Sequence, residues 1–195
     1  ATYYLVTASS GIGKSKLVRN LFIQNPFEYL KNNPEKGIKL DILYFSLEES
    51  KEKVILAEIS KYLFYKHRLS IPVKKLQSIG RYNTIDEATL EKIKEAREYV
   101  EDFLGKVQII DYVRNPYGIY KYVRDFMMTV GDYHDKDGNI LDKAKIVKGE
   151  GEEYKKIDKF VKHHPKHFVI TIVDHVKLMS PEKDCTTIKS IIDKW

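Results

Sequence analysis

The segment at residues 8–15 constrains the fold more than any other part of the chain. Its residues are Ala8, Ser9, Ser10, Gly11, Ile12, Gly13, Lys14 and Ser15. A β-branched and aromatic run at residues 2–7 precedes it, and apolar residues at helical spacing follow it. The pattern therefore predicts strand, turn and helix in that order, which is the context of a phosphate-binding P-loop.

The residue types in this segment suit the phosphate chain of a nucleotide. Gly11 and Gly13 would let backbone N–H groups approach phosphate oxygens closely, beside the partial positive charge of a helix N-terminus. Lys14 would reach the β- and γ-phosphates, and Ser15 would bind Mg²⁺ through its hydroxyl. Ala8 stands where the strict motif has glycine, and alanine is small enough to be compatible with the loop. The alternative is a glycine-containing turn followed by a surface lysine.

An aspartate follows the most apolar predicted strand of the chain, residues 168–173. Open α/β sheets bind their ligands beyond the carboxyl ends of their strands, which is where Asp174 would lie. A carboxylate there would hold Mg²⁺ directly or through water, as the Walker B aspartate of a P-loop enzyme does. The alternative is an aspartate that only caps a turn.

Two glutamates follow another predicted strand, residues 42–46. Glu48 is the candidate general base, which would orient and activate the water that attacks the γ-phosphate. Glu49 is its rival for that role. The alternative for both is a place at the start of the next helix, where negative charge is favourable.

The order of the predicted elements indicates an α/β fold. Strands are predicted at residues 2–7, 42–46, 107–110 and 168–173, with helical patterns between them. This alternation predicts a mostly parallel sheet with helices on both faces. We expect a single domain over residues 1–195, with a surface hairpin near residues 132–150 because Asp137-Gly138-Asn139 is a turn signal.

Capping residues and prolines predict where the helices begin and end. Asn25-Pro26 is expected to end the first helix, because proline disfavours the helical region for the residue before it. Thr84 to Glu87 predicts a capping box that opens a helix through Phe103. Asn115-Pro116 predicts the start of the next helix. Further helices are predicted at residues 50–67, 152–161 and 186–195.

Composition favours a globular protein of a reducing compartment. No apolar run approaches the roughly 20 residues that span a bilayer, so we expect no membrane association. The single Cys185 excludes an internal disulfide framework, and we expect a cytoplasmic location, in the host cell if the chain is phage-encoded. The formal charge of +6 is compatible with an anionic partner, but lysines alternate with acidic residues along the chain.

Two further segments resemble the DnaB family of replicative DNA helicases. Tyr44-Phe45-Ser46-Leu47-Glu48 resembles the strand end that carries the family's catalytic glutamate, and residues 170–179 are similar to its Walker B strand and the following turn. With the P-loop, three motifs stand in the family's order. The elements near Thr84 and Gly138 look like elaborations, as in divergent phage helicases.

The resemblance implies a RecA-like P-loop ATPase that uses ATP and Mg²⁺ to translocate on single-stranded DNA. Such motors unwind DNA during replication as self-associated rings, usually hexamers. The resemblance assigns catalysis to Lys14 and Glu48, nucleotide binding to residues 8–15, and metal ligation to Ser15 and Asp174.

The family places a sensor, DNA-contacting loops and an arginine finger after Walker B, whereas this sequence ends at Trp195. We therefore expect a partial RecA-like domain without its C-terminal strands. Its hydrolysis should be weak, since loss of an arginine finger costs roughly 10³–10⁵ in rate.

Several alternatives stay open at the level of sequence. The chain would look much the same as a recombinase-type or clock-type ATPase that does not unwind DNA, or as an inert nucleotide-binding module. His175 would either sense the nucleotide or face the neighbouring strand. The basic segment at residues 65–68 is a candidate contact for DNA or a neighbouring subunit. The histidines at 163, 164 and 167 are interpreted as a solvated loop rather than a metal site.

Overall fold

A computed structural model describes residues 2, 4–7, 9, 11–77, 84–148 and 156–180. The α-helices are α1 (Lys14–Arg19), α2 (Asn25–Asn32), α3 (Lys51–His67), α4 (Val73–Leu76), α5 (Glu87–Glu95), α6 (Arg97–Lys106), α7 (Pro116–Val130) and α8 (Lys143–Lys148). The strands are β1 (Lys39–Ser46), β2 (Val107–Ile110), β3 (Gly131–His134), β4 (Lys159–Lys162) and β5 (His167–Asp174). A π-helical turn (Asn20–Gln24) joins α1 to α2, and 3₁₀ turns lie at Pro34–Lys36 and Val176–Leu178.

Three parallel strands form the sheet that positions the site. Their order is β2-β1-β5, with β1 in the middle. In the register, Phe45 pairs with both Ile110 and Val173, and Ser46 pairs with Asp174. The carboxyl ends of all three strands therefore meet at one edge of the sheet, and the predicted α/β class with a parallel sheet is confirmed.

The central strand β1 is buried on both faces, because alternate side chains point to opposite sides of the sheet. Ile42 and Tyr44 belong to one hydrophobic cluster, whereas Leu43 and Phe45 belong to another. The first cluster also contains Ile23 and Phe27 from the N-terminal helical segment, Val54 from α3, and Tyr99 and Phe103 from α6. The second contains Ile119 of α7 and Met179 after β5. Helices thus cover both faces, as predicted.

The prediction of a strand at residues 2–7 is wrong for the part of it that the structure describes. Residues 4–7 adopt no strand, and the side chain of Leu5 is 85% exposed. Strand propensity reflects how well a residue fits a pleated, half-buried surface. The β-branched and aromatic pattern of this segment indicates that fit, but it does not supply a neighbouring strand.

The prediction that the first helix ends at Asn25-Pro26 is also wrong. The helical path continues through the π turn into α2, and the N–H of Asn25 donates to the carbonyl of Asn20, five residues back. In an α-helix the ring of Pro26 would clash with the carbonyl of Phe22. The wider π turn immediately before Pro26 relieves that conflict, so the proline stands at the start of α2 instead of ending the helix.

Capping signals predicted the start of α7 correctly and the start of α5 incorrectly. Asn115 is the N-cap of α7 with Pro116 in its first turn, as predicted. The capping box at Thr84 is wrong: Asp86 is the N-cap of α5, and its carboxylate accepts a 2.8 Å hydrogen bond from the Thr89 N–H. The predicted long helix is divided at Ala96 into α5 and α6.

The hairpin predicted near residues 132–150 has its turn, but the two segments that flank the turn pair through only one isolated bridge. The Asp135 carboxylate accepts hydrogen bonds from the N–H groups of Asp137 and Asn139. Across the turn, His134 and Ile140 form an isolated bridge, while the strand that pairs with β3 is β4, in antiparallel orientation. The predicted helix at 152–161 is contradicted at its end by β4. Its start, and the predicted helix at 186–195, lie outside the described residues.

The helices of the described residues are short or carry many charges. α3 has 17 residues, among which are four lysines, two glutamates and one histidine. Among the described residues, no helix is long and apolar enough to cross a membrane.

Candidate nucleotide-binding and catalytic site

A hydrogen bond joins the predicted P-loop to the predicted Walker B strand. Ser15, in the first turn of α1, donates from Oγ to Oδ1 of Asp174 at 3.0 Å, although the two residues are 159 positions apart in sequence. Asp174 is the last residue of β5 and is only 7% exposed. The structure therefore brings together the two side chains that the sequence assigns to a magnesium site.

The other oxygen of the same carboxylate has a partner that the sequence analysis did not identify. Tyr44 lies on β1, and its buried hydroxyl donates to Oδ2 of Asp174 at 3.1 Å. Burial, together with the negative charge of Asp174, raises the pKa of the Tyr44 hydroxyl, so it stays protonated and remains a donor. A buried tyrosine usually has a hydrogen-bond partner for its hydroxyl. That general rule is the one signal by which the sequence could have indicated a role for Tyr44 beyond core packing.

The two rival glutamates have different partners. Oε2 of Glu48 lies 2.5 Å from Nε2 of His175, the residue that follows Asp174. Oε2 of Glu49 lies 3.0 Å from the guanidinium of Arg19 in α1. Glu48 is thus the glutamate that faces the end of β5, whereas Glu49 is held against the helix that follows the P-loop. The contacts separate the two candidates in a way that their adjacent positions in sequence could not.

The loop that carries both glutamates is held by several hydrogen bonds. The Ser46 hydroxyl donates to the carbonyl of Glu49 at 2.7 Å, and Arg114 donates to the carbonyl of Leu47 at 2.9 Å. The Asp111 carboxylate accepts from the N–H of Lys51 at the start of α3. The loop is therefore tied to residues that follow β2 as well as to its own strand.

His175 has an unusual backbone conformation for a residue with a side chain. Its φ of 63° and ψ of 60° lie in the left-handed region, which disfavours residues that carry a Cβ. The N–H of Leu178 donates to its carbonyl at 2.8 Å, which begins the 3₁₀ turn after β5. Of the two roles predicted for His175, its position favours the one in which it faces the neighbouring strand, because Glu48 follows β1.

The predicted P-loop has the backbone conformation that its glycines predict. Gly11 and Gly13 have φ values of 82° and 92°, which glycine adopts without a steric cost. Lys14 is the first residue of α1, is half-buried, and lies beside Ser15. Ser9 and Ile12 are exposed. Ala8 and Ser10 lie outside the described residues, so their predicted contacts with nucleotide remain predictions.

The donor set at the P-loop fits Mg²⁺ bound together with a phosphate chain. Among the described residues, no group of three or more His, Cys, Asp or Glu side chains could hold a metal ion by itself. Mg²⁺ at nucleotide sites keeps several waters and uses one or two protein oxygens plus phosphate oxygens. The Ser15 hydroxyl and the Asp174 carboxylate provide two such oxygens, and their mutual hydrogen bond shows that they already converge.

His163, which follows β4, and His167, which begins β5, have different partners. His163 Nε2 lies 2.7 Å from Asp132, and His167 Nε2 lies 2.6 Å from Asp41 on β1. The two residues thus pair with carboxylates in different sheets. The interpretation of these histidines as a solvated loop is wrong for His167, because it is the first residue of β5 and its side chain is only 12% exposed.

No protein-family model, curated protein or solved structure matches this chain. The functional interpretation of the site therefore depends on the chain's own residues and on the contacts among them.

Proposed function

We propose that this chain is the ATP-binding and hydrolysing motor domain of a DnaB-like replicative DNA helicase, with a RecA-like P-loop fold. The observation that carries the nucleotide site is the 3.0 Å hydrogen bond between Ser15 Oγ and Asp174 Oδ1. A Mg²⁺-nucleotide requires a serine or threonine hydroxyl and a strand-end carboxylate close together. Ser15 of the Gly-Lys-Ser segment and Asp174 provide these two oxygens. A turn with a surface lysine would not need a buried carboxylate at this position.

Each residue of the site would have a separate role in hydrolysis. The backbone of the P-loop and the ammonium of Lys14 would bind and orient the phosphates. Ser15 and Asp174 would hold Mg²⁺, which when bound neutralises charge that develops on the phosphate oxygens. Glu48 would accept the proton of the attacking water, since its carboxylate faces the end of β5 beside Asp174. Tyr44 would orient Asp174 through its buried hydroxyl.

The assignment to DNA unwinding has a different basis from the assignment to ATP. It is supported by the resemblance of Tyr44-Phe45-Ser46-Leu47-Glu48 and of residues 170–179 to the helicase family. Single-stranded DNA and self-association into a ring are the partners that this resemblance implies. A net charge of +6 is compatible with a polyanion.

The test is ATP turnover by the full-length protein, with and without single-stranded DNA, for the wild type and Glu48→Gln. Glu49→Gln is the matched control, because it changes the adjacent carboxylate, which contacts Arg19 instead of His175. We expect DNA to stimulate turnover in the wild type and in the control. Glu48→Gln should lower kcat by about 10²- to 10⁴-fold, the usual contribution of a general base.

The other outcomes are equally informative. Turnover that is indifferent to DNA would contradict the helicase assignment and favour an ATPase that remodels protein. Full activity of Glu48→Gln with loss in Glu49→Gln would transfer the role of the base to Glu49. Tight ATP binding without turnover in any variant would indicate an inert nucleotide-binding module.

A further inference from the structure

We infer that His175 is a positioning residue for ATP hydrolysis, which holds the Glu48 carboxylate in place from the end of the Walker B strand. The inference rests on the proposed function, because it concerns the same site. It begins from the 2.5 Å contact between His175 Nε2 and Glu48 Oε2. These residues belong to the ends of two adjacent parallel strands, β5 and β1.

Glu48 needs such a partner more than the other carboxylate of the site does. Its side chain is 53% exposed, whereas Asp174 is buried and accepts hydrogen bonds at both oxygens. An exposed glutamate has several rotamers of similar energy, and a general base must lie within hydrogen-bond reach of one particular water. The contact with His175 engages Oε2. A carboxylate has a second oxygen, Oε1, with which it can accept the proton of a water.

The backbone of His175 is arranged to make this contact. A left-handed conformation aims the side chain of residue 175 differently from the continuing strand, and it is unfavourable for histidine. Glycine or asparagine would adopt it more easily. Backbone strain of this kind persists where surrounding interactions compensate it. Two interactions of His175 are seen here, namely the contact of its imidazole with Glu48 and the hydrogen bond that its carbonyl accepts from the Leu178 N–H.

The position of His175 in the chain also joins the two acidic groups of the site. Asp174 contacts Ser15 of the P-loop, and the next residue contacts the candidate base. The dipeptide Asp174-His175 at the end of β5 therefore provides the candidate magnesium ligand and also fixes the position of the Glu48 carboxylate. A displacement of about 1 Å in a reacting group can cost about 100-fold in rate, so the geometry of this dipeptide should be visible in kcat.

The test uses the full-length protein with His175→Gly, which removes the imidazole and favours the left-handed backbone. We expect the affinity for MgATP, measured by titration, to stay within about twofold of the wild type, and kcat to fall by about 10- to 100-fold. His175→Asn is a second variant that also suits the backbone but has a shorter side chain. It should show the same division between affinity and kcat, and it keeps the test valid should His175→Gly not fold.

A double variant separates positioning from a general structural role. His175→Gly combined with Glu48→Gln should be no slower than Glu48→Gln alone, because a residue that acts through Glu48 has nothing left to position. Additive losses in the double variant would overturn the inference. So would wild-type kcat in both His175→Gly and His175→Asn.

A failure of the proposed function would look different from a failure of this inference. If the wild type neither binds nor hydrolyses ATP, the nucleotide site is wrong and the inference falls with it. If the wild type hydrolyses ATP and Glu48→Gln abolishes turnover while the His175 variants are unaffected, only the inference is overturned.

Discussion

The two halves of the candidate site are built in different ways. In the carboxylate half, at the ends of β1 and β5, the residues Tyr44, Ser46 and Asp174 are buried, whereas the Glu48 side chain is exposed. The phosphate half, residues 4–15, is exposed at most of its described positions and belongs to no strand. Ser15 is where the two halves meet, through its hydrogen bond to Asp174.

This difference shows which parts of the site depend on folding and which depend on ligand. Strand pairing and the two apolar clusters hold the carboxylate half through contacts within the protein itself. The N–H groups of the P-loop and the ammonium of Lys14 are suited instead to phosphate oxygens. We therefore expect the carboxylate half to be preformed, and we propose that the phosphate half gains its main partners from ATP. Three pairs of substitutions test this division.

The first compares a core leucine of β1, the strand that supports the carboxylate half, with a leucine of the phosphate half. Leu43 on β1 is fully buried, whereas Leu5 is 85% exposed. Leu43→Ala should lower the free energy of unfolding by about 2–5 kcal/mol, because it leaves a cavity in the core. Leu5→Ala should change it by less than about 0.5 kcal/mol. Urea denaturation of both variants measures the difference, and equal losses would show that residues 4–7 pack as part of the core.

The second compares two lysines in α1. Lys14→Ala should weaken MgATP binding by about 100-fold, since charge-assisted hydrogen bonds contribute about 1.5–3 kcal/mol. Lys16→Ala, two residues on and exposed, should bind ATP as the wild type does. Neither change should greatly alter stability in the absence of nucleotide. Titration with MgATP decides the outcome, and equal affinities of the two variants would contradict the phosphate site.

The third compares two buried tyrosines. Tyr44→Phe removes the donor to Asp174, while Tyr99→Phe removes a hydroxyl that bonds Gln24 elsewhere in the core. Each should cost about 1 kcal/mol of stability. Only Tyr44→Phe should raise the Mg²⁺ concentration needed for ATP binding, by about tenfold, as loss of an outer-shell partner does. An equal Mg²⁺ requirement in both variants would mean that Tyr44 has no part in the metal site.

Patterns within one segment predicted much of the fold. The apolar runs of β1, β2 and β5 and the Asn115-Pro116 start of α7 were recognisable because each depends on neighbouring residues. Where one local signal competed with another, the prediction failed. Thr84 and Asp86 are both good caps, and the sequence does not show which of them begins the helix. Pro26 usually marks the end of a helix, but a π turn accommodates it here.

Local patterns were also insufficient to predict the contacts of the site between residues far apart in the chain. The predicted residues Ser15 and Asp174 do come together, because P-loop and strand-end positions imply a shared edge of the sheet. The pairing of Glu48 with His175, and of Tyr44 with Asp174, depends on the register between β1 and β5. That register is a property of packing between segments more than 100 residues apart in the chain, so no local pattern contains it.

The π turn before Pro26 also determines how α1 is rotated about the helix axis relative to α2. Successive residues of an α-helix are turned by about 100° around its axis, and a π turn contains one residue more than the α-helical path would. It therefore determines which way Ser15 points when Phe27 faces the core. A one-residue deletion within residues 20–24 would leave both ends helical but rotate the Ser15 hydroxyl away from Asp174. The chain would then keep its core and lose the alignment of Ser15 with Asp174, so insertions and deletions in this turn should be far less tolerated than those in exposed loops.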